Sequence, residues 1–268
     1  MNLTKVEREK QKKERLGKIN INNEGCKMII IEYNSATNVV IEFQDEHRAK
    51  IKTTWNNFKI GRIKNPYFKD VFGIGYSGQG KYKAKVNKKE TEAYKYWRHM
   101  LMRCYDPYFI NKQPSYIDAY VCEEWHNFQN FAEWFYKHYY EIKNERMHLD
   151  KDILIKGNKI YSPKNCIFVP QRINNLFLRR QSCRGKYPIG VSIHSDKERL
   201  CAICHIHIDG KNKLKHLGCF PLDKPFQAFT SYKNFKEDYV KKVADEYKEL
   251  IPKKLYDALY NYKVEVND

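Results

Sequence analysis

The sequence predicts an α+β fold: a small N-terminal antiparallel β-module, central helices with a ββα finger, and a C-terminal three-stranded sheet packed on one helix. Three observations predict it. Two β-rich runs at 28–33 and 39–43 (MIIIEY and VVIEF) flank the polar pentapeptide NSATN, a hairpin signal. Between 91 and 104, Tyr94, Trp97, Leu101 and Cys104 recur at helical spacing. Near the end, RLCAICHIHI at 199–208 alternates strictly and runs into DGKN, a tight hairpin turn.

In chain order, residues 1–18 form a basic tail with helical propensity and no convincing apolar stripe, an arm able to order on a polyanion. Residues 19–66 form the β-module, with a third strand near 49–53 and the basic exit FKIGRIKNP. The glycine-rich stretch at 73–80 lacks the Gly-Lys-Ser/Thr and the strand–turn–helix frame of a phosphate-binding loop, so it is expected to be a mobile hinge. Asp106-Pro107 ends the first long helix. A second helix, 128–140, carries Phe128, Phe131, Trp134, Phe135 and Tyr139, read as core and not as a base-stacking surface.

The finger spans 147–175: a strand at 147–150, a turn at Gly157-Asn158, a strand at 166–169 and a helix from about Pro170. An acid on the first strand (Asp150) and an amide on the helix (Asn174) is an arrangement that holds one hard divalent ion, which keeps its waters and takes phosphate oxygens as further ligands. Asn165 can pin the intervening loop through its side chain. Strand alternation puts His148 on the same face as Asp150.

Residues 179–186 read as a basic linker, with Arg179, Arg180 and Arg184 suited to a phosphate backbone. The C-terminal unit, 187–268, has strands at 190–194, 199–208 and 213–220 and a helix at 225–250. In its middle strand Leu200, Ala202, Cys204, Ile206 and Ile208 share the face that meets the helix. Arg199, Cys201, Ile203, His205 and His207 share the other, which is left free.

Lysine and arginine outnumber aspartate and glutamate by 50 to 32, a formal net charge of +18 that suits a nucleic-acid partner. A merely basic soluble protein is the bland alternative. No apolar run is long enough to span a bilayer, and the charged start is no signal peptide, so a cytoplasmic location without membrane is expected. The eight cysteines are then expected to be reduced. Cys201-x-x-Cys204 with His205 and His207 invites a zinc reading, but neighbouring side chains on one strand face opposite ways, so no zinc is expected there.

The finger resembles the phage branch of the HNH endonucleases. Asp150 and Asn174 match the family's metal ligands and Asn165 its loop-bracing amide, while Trp97, Arg103-Cys104-Tyr105, Val121-Cys122, Trp125 and Trp134 resemble its lead-in. The family's general-base histidine falls on Lys151, which at an ordinary lysine pKa takes no proton from water. The resemblance implies a Mg²⁺- or Mn²⁺-dependent HNH-like domain of residues 67–178 around the finger; the shared strand face then offers His148 as the displaced base, with Lys151 stabilising charge on the phosphorane. Arg98 and Arg103 become candidates for backbone contact. The β-module is similar to one fused to such phage proteins.

The C-terminal unit resembles the AP2-type DNA-binding domain in Gly190-Val191, Ala202, Leu217-Gly218-Cys219-Phe220 and Ala228, with Leu200 near the place of the family's tryptophan. Sheets of that kind lie in the DNA major groove, which makes Arg199, His205, Lys213 and Lys215 the candidates for contact with double-stranded DNA. Three function classes stay open, the first two being a phage-encoded homing-type endonuclease that cleaves or nicks in the host cytoplasm, and a non-cutting HNH-like DNA binder acting as regulator or anti-defence factor. A protein-interaction inhibitor of an acidic target is the third. Oligomeric state is left open, a monomer being one possibility.

Overall fold

The computed structural model describes residues 4–177, 186–208, 211–266 and 268. Arg179, Arg180 and Arg184 lie outside the described residues. The fold is α+β, with several antiparallel sheets and, among the described residues, eight α-helices. No helix among them is long and apolar enough to cross a membrane. Two compact units form, Met1–His138 with Lys159–Pro163, and Tyr139–Asn158 with Lys164–Asp268.

The first unit begins with α1 (Lys5–Arg15), whose N-cap Thr4 and Glu7 form a reciprocal capping box. The expected tail is anchored: the Arg15 guanidinium lies 4.4 Å from the Trp55 ring centroid and 5.1 Å from that of Tyr33. Strands β1 (Ile19–Ile21), β2 (Lys27–Ser35), β3 (Asn38–Phe43) and β4 (Lys50–Thr53) follow in sheet order 1-2-3-4, then the short α2 (Trp55–Lys59). Alternation buries Met28, Ile30, Val39, Ile41 and Phe43 on one face, where Phe58 and Ile63 complete a core.

Beyond it come the β5–β6 hairpin (Lys85–Val86, Lys89–Glu90), α3 (Glu92–Tyr105), α4 (Pro107–Lys112), β7 (Tyr120–Val121) and α5 (Phe128–His138). Asp106 accepts from Tyr108 N–H and so starts α4 where α3 stops. Trp97, Trp125, Phe128, Phe131 and Phe135 are fully or almost fully buried, as core residues should be. The glycine stretch is not the expected hinge but a strap fixed by close approach. A Cβ at Gly75 would come within 2.4 Å of Leu101, and the Gln129 amide donates to the Ser77 and Tyr82 carbonyls at 3.1 and 2.9 Å.

The second unit holds β8 (Met147–Asp150), β10 (Ile167–Pro170), α6 (Gln171–Asn175), β11 (Val191–Ile193), β12 (Arg199–Ile208), β13 (Lys211–Pro221), α7 (Pro225–Glu246) and α8 (Lys253–Tyr260). Strand β9 (Ile160–Tyr161) belongs to the first unit, paired in parallel with β7. One helix serves two cores. The N-terminal half of α7 (Ala228, Phe229, Tyr232) covers Leu200, Ala202, Cys204 and Ile206 of the β11–β12–β13 sheet. Its C-terminal half (Val240, Val243, Ala244, Tyr247) packs with Ile167, Val169 and Ile173 of the finger. The helix expected at 225–250 instead stops at Glu246 and resumes as α8 behind Pro252.

Candidate functional site

Strands β8 and β10 pair antiparallel with Ile167 opposite Asp150 and Val169 opposite His148. Directly opposed residues of such a pair point to one side, so Asp150, His148, Ile167 and Val169 share a face. Ile167 and Val169 pack with Ile173 of α6, which is fully buried. Helix α6 therefore lies over the face that carries Asp150 and His148, and Asn174 follows directly on Ile173. The opposite face buries Met147 and Leu149. Arg172 holds α6 to α7 through a 2.5 Å ion pair with Glu246.

Asp150 is half-buried, and one carboxylate oxygen accepts from the backbone N–H groups of Asp152 and Ile153 at 2.9 and 2.7 Å. Its second oxygen makes no hydrogen bond among the described residues, nor does the half-buried Asn174 side chain. Desolvation by burial, followed by the charge on Asp152, pushes the Asp150 carboxyl up to about 6.

Lys151 departs from its expected role. It is only 8% exposed, just past the end of β8, and its ammonium pairs with Asp152 at 3.3 Å. That burial keeps it from meeting a phosphate at the surface, and it anchors the loop instead. Asn165 takes the expected bracing position: its amide donates to the Asn158 side chain at 3.0 Å, and Asn158 donates to the Lys151 carbonyl at 2.6 Å. Asn158 was legible only as a turn residue beside Gly157; its part in this relay depends on where the loop closes.

The other candidates separate. On α3, Arg98 pairs with Glu90 at 3.5 Å, and the Arg103 guanidinium lies 3.5 Å from the Tyr161 hydroxyl, turned inward and not toward solvent. In the C-terminal sheet Arg199 and His205 are exposed on the face away from α7, and Asp196 grips the Arg199 Nε and Nη2 at 3.0 and 2.6 Å. Asp196 is held at about 2 by the Glu198 backbone N–H and then by Arg199.

Lys213 and Lys215, expected beside them, are exposed on the opposite face. They pair with Ile206 and Cys204, which look toward α7. The cause is a β-bulge. Ala202 pairs with Gly218 but Ile203 with His216, leaving Leu217 unpaired, and a one-residue slip reverses every side chain beyond it. Compared with protein-family models, with curated proteins and with solved structures, the chain finds no match.

Proposed function

We propose that this protein binds double-stranded DNA and cleaves or nicks its phosphodiester backbone at an HNH-type finger, with Asp150 and Asn174 holding Mg²⁺ or Mn²⁺. The observation that carries it is the packing of α6 on the ribbon face bearing Asp150 and His148. The donor set fits a hard ion: a carboxylate oxygen and an amide, both half-buried and neither hydrogen-bonded among the described residues, leave room for waters and phosphate oxygens. When bound, the ion supplies charge neutralisation at the scissile phosphate and the leaving 3′ oxygen.

His148 stands two residues from Asp150 on the same strand face, about 7 Å away along the strand, a span that accommodates one water. Its imidazole takes the proton from that water as the oxygen attacks phosphorus. The Asn165–Asn158 relay fixes the loop behind Asp150. The net charge of +18 and the exposed Arg199 and His205, on the sheet face away from α7, supply the grip on the duplex, and Lys213 and Lys215 on the other face take no part in that contact.

A second reading, DNA binding without cleavage, is favoured by Lys151 standing where the family has its base and by the two backbone amides that Asp150 already caps. Supercoiled plasmid carrying the cognate site, incubated with Mg²⁺ or Mn²⁺, separates the two. Nicking by the wild type that vanishes in Asp150→Ala supports the cleavage centre. Retention of activity in His148→Ala removes the base assignment alone, and no nicking with either ion leaves the non-cutting binder.

A further inference from the structure

The bulge in β13 does more than reverse two lysines. It adds His216 to three metal-ligating side chains that regular register already places on the open face of the C-terminal sheet. Cys201 and Cys219 are direct cross-strand partners, with their sulfurs 3.6 Å apart. Ser192 of β11 pairs with Cys201, and the pairing continues as His194 N–H donates to the Arg199 carbonyl at 2.9 Å, so His194 stands on the same face. One ligand atom from each of His194, Cys201 and Cys219 lies within 4.8 Å of the others. The bulge then turns His216 to this side, its Nε2 3.6 Å from the Cys219 sulfur.

Two of these separations, 3.6 Å between the sulfurs and 3.6 Å from His216 Nε2 to Cys219, are close to the edges of a metal tetrahedron. With Zn–S near 2.3 Å and Zn–N near 2.0–2.1 Å, tetrahedral angles give a sulfur–sulfur edge of about 3.8 Å and a sulfur–nitrogen edge of about 3.5 Å. The outer shell is also present: His194 Nδ1 is 2.9 Å from the Asp196 carboxylate, which leaves Nε2 for a ligand bond and sets the ring's orientation. We propose that His194, Cys201 and Cys219 bind one Zn²⁺ at the β13 bulge, with His216, 3.6 Å from the Cys219 sulfur, turning in as the fourth ligand.

The set differs from the sequence cluster Cys201-x-x-Cys204-His205-x-His207. Cys204 is buried on the other face, among residues of the core under α7. Both cysteines of the proposed site carry free thiols, so thiolate ligation needs only loss of their protons on binding. The proposal is independent of cleavage at the finger.

Cobalt substitution tests it. The full-length chain, reduced and stripped with chelator under argon, is titrated with Co²⁺ and then with Zn²⁺. One equivalent of Co²⁺ is expected to give visible ligand-field bands and a near-ultraviolet thiolate-to-cobalt band, both erased by Zn²⁺. Cys219→Ser and His216→Ala, at exposed positions and checked for unchanged far-ultraviolet circular dichroism, should weaken binding at least tenfold. Cys204→Ala and Asp150→Ala should keep the bands. A fully reduced chain that gives no thiolate-to-cobalt band overturns the site, as does a band that survives in Cys219→Ser. So does a chain in which Cys201 and Cys219 close to a disulfide in air and take up no cobalt after reduction.

Discussion

His216 and Cys219 face the same side of β13 although they stand at an odd spacing, with two residues between them, because Leu217 has no partner on β12. In a regular strand that spacing would put them on opposite sides. The extra residue sends Leu217 and Phe220 into the core with Leu200 and Ala202, and turns His216 and Cys219 outward. Gly218 makes this possible. Its φ of 135° is one that side-chain-bearing residues rarely adopt, and a Cβ there would meet the Phe220 ring at 3.3 Å. Gly218→Ala should therefore destabilise the protein by about 1–3 kcal/mol in urea unfolding. An unchanged midpoint would mean that the bulge carries no strain.

Asp150 should behave as a group held at a cost to stability. Its folded carboxyl, at about 6, lies above the ordinary aspartate value of about 3.9. A raised carboxyl favours the folded state fully below the unfolded value, and that contribution is lost as pH rises through about 6. At neutral pH the charged form is thus a burden, on the order of 3 kcal/mol. Asp150→Asn keeps an acceptor oxygen for the Asp152 and Ile153 amides and removes the charge. It should raise the metal-free Tm at pH 7.5, with the gain disappearing below pH about 4, while abolishing nicking. A lowered Tm at pH 7.5 would show that the carboxylate is there to hold the loop.

The amide relay makes a different demand. Asn165→Ala removes the donor that fixes Asn158, and with it the hold on the Lys151 carbonyl. Partly buried hydrogen bonds of this kind contribute about 1 kcal/mol each, so stability should fall by about 1–2 kcal/mol. If the relay positions the cleavage centre, single-turnover nicking should drop about tenfold with DNA affinity changed less than twofold. Equal losses in both would make Asn165 a general support of the fold.

Sequence periodicity carried the local elements well and the long-range ones poorly. The strand 147–150 and the strand 199–208 match β8 and β12 end to end, since each is defined by its own alternation. The burial of Lys151 left no local signal, because lysine is ordinarily exposed and only folding closes the loop over it. The bulge was equally invisible: an alternating pattern does not show that one residue is skipped, yet that skip decides which face Lys213 and Lys215 occupy. The finger's Asp150, Asn165 and Asn174 were marked by residue type and spacing. The His194–Cys201–His216–Cys219 set comes from cross-strand register, which no single strand records, and the contiguous cysteine–histidine cluster drew attention away from it.

Glu237 offers a test of what fixes α7, the helix that both cores of the second unit use. It is almost fully buried, and its Oε1 accepts from the Val264 N–H at 2.9 Å and from Lys233 Nζ at 2.6 Å, while Oε2 accepts from Lys263 Nζ at 3.1 Å. Burial alone would raise this carboxyl, but the bonds from Lys233, Val264 and Lys263 outweigh it and hold it at about 2. A depressed carboxyl contributes stability that is present above the unfolded value near 4.3 and is lost as pH falls through about 2. Glu237→Gln leaves the Lys233 and Lys263 charges without their carboxylate and should cost about 1–3 kcal/mol at pH 7. Wild type and variant should converge in stability as pH drops from about 4 toward 2. Denaturant midpoints measured across that interval decide it, and a difference that stays constant down to pH 2 would assign the loss to packing and not to charge.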